Sequence, residues 1–353
     1  MIKKIIINFW QPYTALYRYA ELLSKLDNTE IVNVVDSRER WSYEHTGHDF
    51  PGKFKHGMFN TIMPSISHKD LAIYLNSLRD DNTVYHYTSQ RDVILYNSDK
   101  ILFTVHDNPF SQFNTNLYYN SDNYKKEKLR KLYEKYIFNK YAMHSNYITT
   151  NTNYVKESLI TWGYKGKIYV INHPVADSFY HINEDKNKIR KELNLPLDKI
   201  LILNVSNNVL RKNGEIIMKL NKILNDDYLI IGVGNSNGRI NFKNINDQTL
   251  NKIYNACDAL LFPSLEEGQG LPVIEAFKVG LPVIASDIKV LREVTNSNAI
   301  FVNPNDVNSI YQGIRDSIKN ADELIKNGRI EAKKYSFDIF KRKMEDLYAK
   351  ISG

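Results

Sequence analysis

Residues 259–286 read ALLFPSLEEGQGLPVIEAFKVGLPVIAS. The apolar ALLF predicts a short buried strand, Pro263 and Ser264 end it, and Gly268 and Gly270 open a loop whose backbone can approach a ligand closely. Pro272 falls in the first turn of the helix that follows, and Gly280 is placed to cap its other end. Such a helix start turns N–H groups and a positive dipole end toward the loop, which favours an anion, most naturally a phosphate. Glu267 in the loop and Glu275 on the first helical turn frame that place. A carboxylate beside a phosphate would repel it. Two glutamates make sense if they face hydroxyl groups on either side of a diphosphate, sugar on one side and ribose on the other. The expected ligand is therefore a nucleotide-diphosphate sugar. The plainer reading of the same string is an ordinary strand-loop-helix corner with exposed acids.

At 353 residues the chain suits two domains rather than one core. Its 42% hydrophobic and 25% charged residues describe a folded globular protein. No run approaches the ~20 apolar residues of a membrane span. The opening MIKKIIINFW is broken by Gln11 and Pro12 before any cleavage-site pattern, so it reads as a first strand. One cysteine, Cys257, excludes internal disulfides and cysteine-based metal clusters and fits a cytoplasmic location. The formal charge of +7 is spread through both halves and accompanies no nucleic-acid module, so no nucleic-acid partner is expected.

In chain order, KKIIINF predicts a strand, YTALYRYAELLSKL a helix with Leu16, Tyr19, Leu23 and Leu26 on one side, and EIVNVVDS another strand. That alternation predicts an α/β fold with a parallel sheet. The first loop, NFWQPY, has no glycine, so the fingerprint of a dinucleotide-binding enzyme is missing. Residues 38–70 show no period and read as a long excursion where acceptor-recognising loops would sit. The strands in NTVYHYTS and DKILFTVHDNPF place His86 and His106 toward carboxyl ends, where open parallel sheets bind ligands. Residues 124–141 predict a helix with Leu129, Leu132, Tyr133, Tyr136, Ile137 and Tyr141 on one face and lysines on the other. Two readings stay open for it: packing on the sheet with solvated lysines, or peripheral contact with an anionic membrane. In the second half, KILILNVS predicts a strand and NNVLRKNGEIIMKL a loop and helix. Arg211 and Lys212 in that loop supply a forked cation and a point cation for a diphosphate. Gly232 and Gly234 read as turn glycines.

Pro263, Ser264, Glu267, Gly268, Gly270, Leu271, Pro272, Glu275 and Ala276 together resemble the signature of the retaining family 4 glycosyltransferases, a glutamate, seven residues and a glutamate in a Gly-Leu-Pro, Glu-Ala setting. The resemblance implies a GT-B fold: two Rossmann-like parallel-sheet domains facing across a cleft. Domain limits are then expected at 1–178 for the acceptor-binding domain, 179–335 for the donor-binding domain and 336–353 for a closing helix that returns to the first. It further implies a metal-independent hexosyltransferase that moves a mannose- or glucose-type sugar from a GDP or UDP carrier to a glycan or lipid-linked acceptor, with retention of configuration and without any cofactor. By the same resemblance His106 and Glu267 act at the sugar, Lys212 at the diphosphate and Glu275 at the ribose. Arg211, Gly268, Gln269, Gly270 and Leu271 complete the donor-binding set, and no metal ligand is expected. The chain departs from the pattern at Gln269, where an aromatic residue is usual, at Ser206 and Asn207, where glycine and arginine are common, and in its glycine-free first loop. Those departures support an alternative, a nucleotide-sugar-binding protein of the same fold that has lost catalysis.

Overall fold

The computed structural model describes residues 2–8, 15–33, 48–49, 73–75, 77–78, 82–89, 99–118, 124–207, 209–234 and 236–353. The first loop with Trp10 and Gln11 lies outside them, as does the excursion at 38–70 apart from residues 48–49. The chain divides into one unit of Met1–Phe113, Asp122–Ile171 and Lys341–Gly353 and another of Asn114–Ser121 and Asn172–Phe340. In this division the chain crosses between the units after Ile171, and the last helix belongs to the first unit from Lys341 onward.

The first unit is built on seven strands: β1 (Lys3–Asn8), β2 (Thr29–Asn33), β3 (His48–Asp49), β4 (Thr83–Tyr87), β5 (Ile101–Val105), β6 (Tyr147–Thr150) and β7 (Lys167–Val170). They pair in the order β3-β2-β1-β4-β5-β6-β7, and every pairing among the described residues is parallel. A parallel sheet covered on both faces needs continuous apolar runs, which Ile5, Ile6 and Ile7 of β1 and Leu102, Phe103 and Val105 of β5 supply. Helix Ala15–Ser24 buries Tyr19 and Leu23 as its spacing predicts. Helix Asn153–Trp162 is started by the Thr152 hydroxyl, which accepts from the Val155 N–H, and is ended by left-handed Gly163.

Helix Tyr124–Lys140 differs from its sequence reading. Ile137 and Phe138 are buried, with Tyr133 and Tyr141 packed beside them, but Leu132 and Tyr136 are each 56% exposed. The buried face is therefore turned toward Glu134, Ile137 and Phe138 and away from Leu132 and Tyr136, which the apolar spacing puts on it.

A buried polar chain runs under this sheet. The Tyr348 hydroxyl of helix Phe337–Ser352 lies 2.6 Å from His86 Nδ1, His86 Nε2 lies 2.6 Å from Thr104 Oγ1, and Thr104 Oγ1 lies 3.0 Å from the Tyr19 hydroxyl. Nearby, buried Lys4 pairs with Glu345 at 2.6 Å. His86 is thus a structural residue that anchors the closing helix. Burial, assisted by neighbouring His106, lowers its pKa from 6.5 to about 3. The unfolded chain takes up this proton near pH 6.5 and the folded chain does not, so stability should fall as pH drops from 6.5 toward 3, by about 1.4 kcal/mol per pH unit. We expect His86→Gln to be less stable at neutral pH but to lack this loss between pH 6.5 and 4.5. Urea unfolding of both proteins at several pH values checks it, and equal slopes would remove His86 as the cause.

The second unit has six strands: β8 (Ile200–Ser206), β9 (Tyr228–Gly234), β10 (Ile240–Phe242), β11 (Ala259–Phe262), β12 (Val283–Ser286) and β13 (Ile300–Val302). Their order is β10-β9-β8-β11-β12-β13, again parallel throughout. Ile202, Ile217, Leu220, Ile230, Leu261, Ile284 and Ile314 form the core on one side of this sheet. Chain order reverses between β8 and β11. In an open parallel sheet the loops after two such strands diverge and leave a crevice at their carboxyl ends.

Candidate active site

The loops that leave β8 and β11 carry the residues singled out in the sequence. Beyond β8, residues Leu210–Lys212 form a single tight turn, and Asn213 then adopts a left-handed backbone (φ 57°) to start helix Gly214–Ile223. The Asn213 side chain donates to Pro263 O at 3.2 Å and to Pro304 O at 2.8 Å, tying this turn to the end of β11. Beyond β11, Gly270 is left-handed (φ 85°), and an added Cβ would stand 2.9 Å from Leu291, so the position requires glycine. Helix Leu271–Val279 follows, with Pro272 second in it and left-handed Gly280 after it. Pro272 has no N–H, and the Val273 N–H is spent on Gly270 O at 3.0 Å. The helix start therefore has fewer free amides than the sequence suggests.

Glu267 is the centre of the cluster. It is 4% exposed, accepts from Arg211 Nη1 at 2.7 Å and from Lys212 Nζ at 2.5 Å, and has the Ser264 side chain beside it. Burial alone would raise its pKa, but Arg211 and Lys212 overcome that and hold the carboxyl down at about 2. It is ionised at any working pH. Because the folded pKa lies below the usual 4.5, this cluster stabilises the fold above pH 4.5, by on the order of 3 kcal/mol, and the contribution is lost as pH falls through about 2.

The two cations have separate supports. The Arg211 N–H donates to Leu117 O at 2.9 Å, and its guanidinium lies 5.0 Å from the centre of the Tyr118 ring and donates to Glu266 O at 3.2 Å. Lys212 Nζ lies 4.8 Å from the centre of the Phe262 ring. Leu117 and Tyr118 belong to the second unit although they lie between two segments of the first in sequence, and no sequence signal points to them.

The other expected residues fall elsewhere. Glu275 is fifth in its helix, just past the first turn where it was expected, and accepts from the Tyr254 hydroxyl at 2.7 Å. Tyr254 is fully buried on helix Asp247–Ala256, so it fixes Glu275 from the neighbouring helix. Leu271 opens its helix half-buried, and Gly268 is buried in the loop. Gln269, expected to bind donor, is 4% exposed and pairs with the backbone of His173. His106 lies in the first unit just past β5. Its Nε2 donates to Thr88 O at 2.6 Å, its ring meets Tyr19 edge-on, and its carbonyl accepts from Asn151. A carbonyl only accepts, so Nε2 carries a proton and the ring orientation is set.

A surface cavity of about 570 Å³ opens beside the amino ends of β8, β11 and β12, lined among others by Arg190, Tyr254, Asp258 and Gly280. Its buried charge is already satisfied: Arg190 donates to Ala256 O, Lys199 O and Asp258.

Residues 185–334 match the family model described as glycosyl transferases group 1. That match contains Arg211, Lys212, Glu267 and Glu275. The O-antigen chain mannosyltransferase RfbU of Salmonella typhimurium is 38% identical over 90 residues, 26% of this chain and 25% of its own. The O-antigen chain mannosyltransferase B of Escherichia coli is 33% identical over 95 residues, with the same shares. The matched stretches span about a quarter of the length of these relatives. Solved structures align over nearly the whole chain. Sucrose-phosphate synthase from Thermosynechococcus elongatus gives a TM-score of 0.75 at 18% identity over 99% of both chains. HepE from Anabaena, in complex with UDP and glucose, gives 0.73 at 14% identity over 99% of this chain and 100% of its own. WaaG, a glycosyltransferase involved in lipopolysaccharide biosynthesis, gives 0.69 at 13% over 100% of both. At these identities the likeness concerns the fold, which is the α/β GT-B fold of two parallel-sheet units.

Proposed function

We propose that the chain is a retaining, metal-independent hexosyltransferase that takes a mannose- or glucose-type sugar from a GDP or UDP carrier and passes it to a glycan hydroxyl. The observation that carries this reading is the Arg211–Glu267–Lys212 cluster at the β8/β11 reversal. It lies inside the stretch that matches group 1 glycosyl transferases. Two relatives named as mannosyltransferases and a GT-B neighbour in complex with UDP and glucose support the class of donor and sugar.

Two cations and one carboxylate leave a net charge of about +1, set against the roughly two negative charges of a nucleotide-sugar diphosphate. As the bond between the sugar anomeric carbon and the phosphate oxygen breaks, the electron pair goes to the leaving nucleoside diphosphate. Lys212 and Arg211 stabilise that developing charge in a site where the cations need little reorganisation. The acceptor oxygen bonds to the anomeric carbon on the face the leaving group vacates, and its proton passes to the departing phosphate oxygen. Glu267 accepts from a sugar hydroxyl, Glu275 from the ribose, and His106 is assigned to the sugar. No covalent intermediate with the protein is invoked.

The test is to incubate the protein with GDP-mannose and with UDP-glucose in excess EDTA and to follow each donor by NMR, with calorimetry for binding. Consumption of one donor at a rate EDTA does not change is the expected result. Binding without consumption would favour the binding-protein alternative, and dependence on added metal would contradict the role given to the two cations.

A further inference from the structure

The Gln269 amide makes both hydrogen bonds available to the backbone of one distant residue. Its Oε1 accepts from the His173 N–H at 2.9 Å, and its Nε2 donates to the His173 carbonyl at 2.9 Å. A neighbouring β-strand satisfies a residue in the same way, so the side chain here substitutes for a strand. His173 is the second residue past the crossing between the units, and two residues on the Val175 N–H donates to Tyr335 O at 3.0 Å. Residues 173–175 are therefore held on two sides, once by the loop after β11. That loop in turn is held at two nearby points: Glu267 by Arg211 and Lys212, and Gln269 by His173. An aromatic side chain, which the resemblance expects at this position, could not supply an acceptor and a donor in this geometry.

We propose that Gln269 is a positioning residue: by clasping the His173 backbone it fixes the loop that carries Glu267, and so sets where that carboxylate meets the sugar of the donor. This rests on the donor-site reading above. It makes Gln269 something other than a donor contact, and it accounts for the departure at this position. Arg211 and Lys212 have further supports on Leu117, Tyr118 and Phe262 besides their bonds to this loop, so the clasp acts more on the sugar end of the site than on the diphosphate end.

The experiment compares the wild-type protein with Gln269→Leu, which removes both bonds, and Gln269→Glu, which keeps only the acceptor for the His173 N–H. Hydrogen exchange is measured on the segments around 173 and 264–270, calorimetry with UDP and with GDP as probes, and kcat and KM with the donor that the wild type consumes. For Gln269→Leu we expect both segments to exchange at least tenfold faster than in the wild type while strands β8 and β9 are unchanged. UDP or GDP affinity should stay within threefold, and kcat should fall at least tenfold. Gln269→Glu should lie between the two and serves if Gln269→Leu does not fold. Unaltered exchange around residue 173 would overturn the clasp. A rise in KM with kcat unchanged would make Gln269 a donor contact and overturn the positioning role, as would equal losses in all measures together with a lowered Tm. The exchange measurement needs no activity, so a wild type that consumes no donor would count against the proposed function and leave the clasp to be judged separately.

Discussion

Replacing Lys212 by alanine should lower kcat/KM for the sugar donor by about 100-fold, with most of the loss in kcat. The magnitude follows from removing one preorganised charge at a departing anion, which costs roughly 10²–10³ in rate. Lys212 is nine-tenths buried and held between Glu267 and the Phe262 ring, so its ammonium is already in place and partly desolvated before a ligand arrives. In the variant, Arg211 is left to balance Glu267 alone, and the net charge of the cluster drops from about +1 to about zero. Lys212→Arg should recover part of the rate, since a guanidinium restores the charge but not the position of a point cation. Steady-state kinetics with the consumed donor checks both, and a near-wild-type rate for Lys212→Ala would remove this residue from the mechanism.

The second large effect is expected at Glu267. The carboxylate accepts from a guanidinium and an ammonium at once, at 2.7 and 2.5 Å. Glu267→Gln keeps the shape but offers a single acceptor oxygen and turns an NH₂ group toward a cation, leaving one buried charge without its partner. We expect kcat to fall by ten- to 100-fold while UDP or GDP affinity holds or improves, because the freed cation meets the phosphates unopposed. The pH profile separates this from acid–base catalysis. Glu267 is held at about 2, so the wild-type rate should show no fall near pH 4.5 from its protonation. An acid limb near that pH in the wild type that vanishes in Glu267→Gln would show that this carboxyl titrates during turnover and would contradict the account.

Local chemistry was legible in the sequence where one short segment contained all of its causes. The strand Ala259–Phe262, the left-handed Gly270, Pro272 early in its helix and the Gly280 cap all lie within residues 259–286, and each rests on a rule about a few adjacent positions. The partnership of Glu267 with Arg211 and Lys212 was legible only as two separate expectations. Their meeting depends on β8 and β11 being neighbours in the sheet, which no local spacing encodes. Tyr118, Tyr254 and the clasp of Gln269 on His173 were not legible, because each joins residues far apart in sequence through side chains that have no distinctive spacing. His86 shows the reverse case. Its place on a strand suggested a ligand-facing histidine, but its two nitrogens are taken by Tyr348 and Thr104, and one of these partners comes from the far end of the chain.

The most direct measurement is the position of a bound donor. In a crystal of the protein with its sugar nucleotide, the diphosphate oxygens should lie about 2.7–3.2 Å from Lys212 Nζ and the Arg211 guanidinium, with Glu267 turned to a sugar hydroxyl and Glu275 to the ribose. A diphosphate bound away from the β8 and β11 loops, with Glu267 still closed on both cations, would contradict the account.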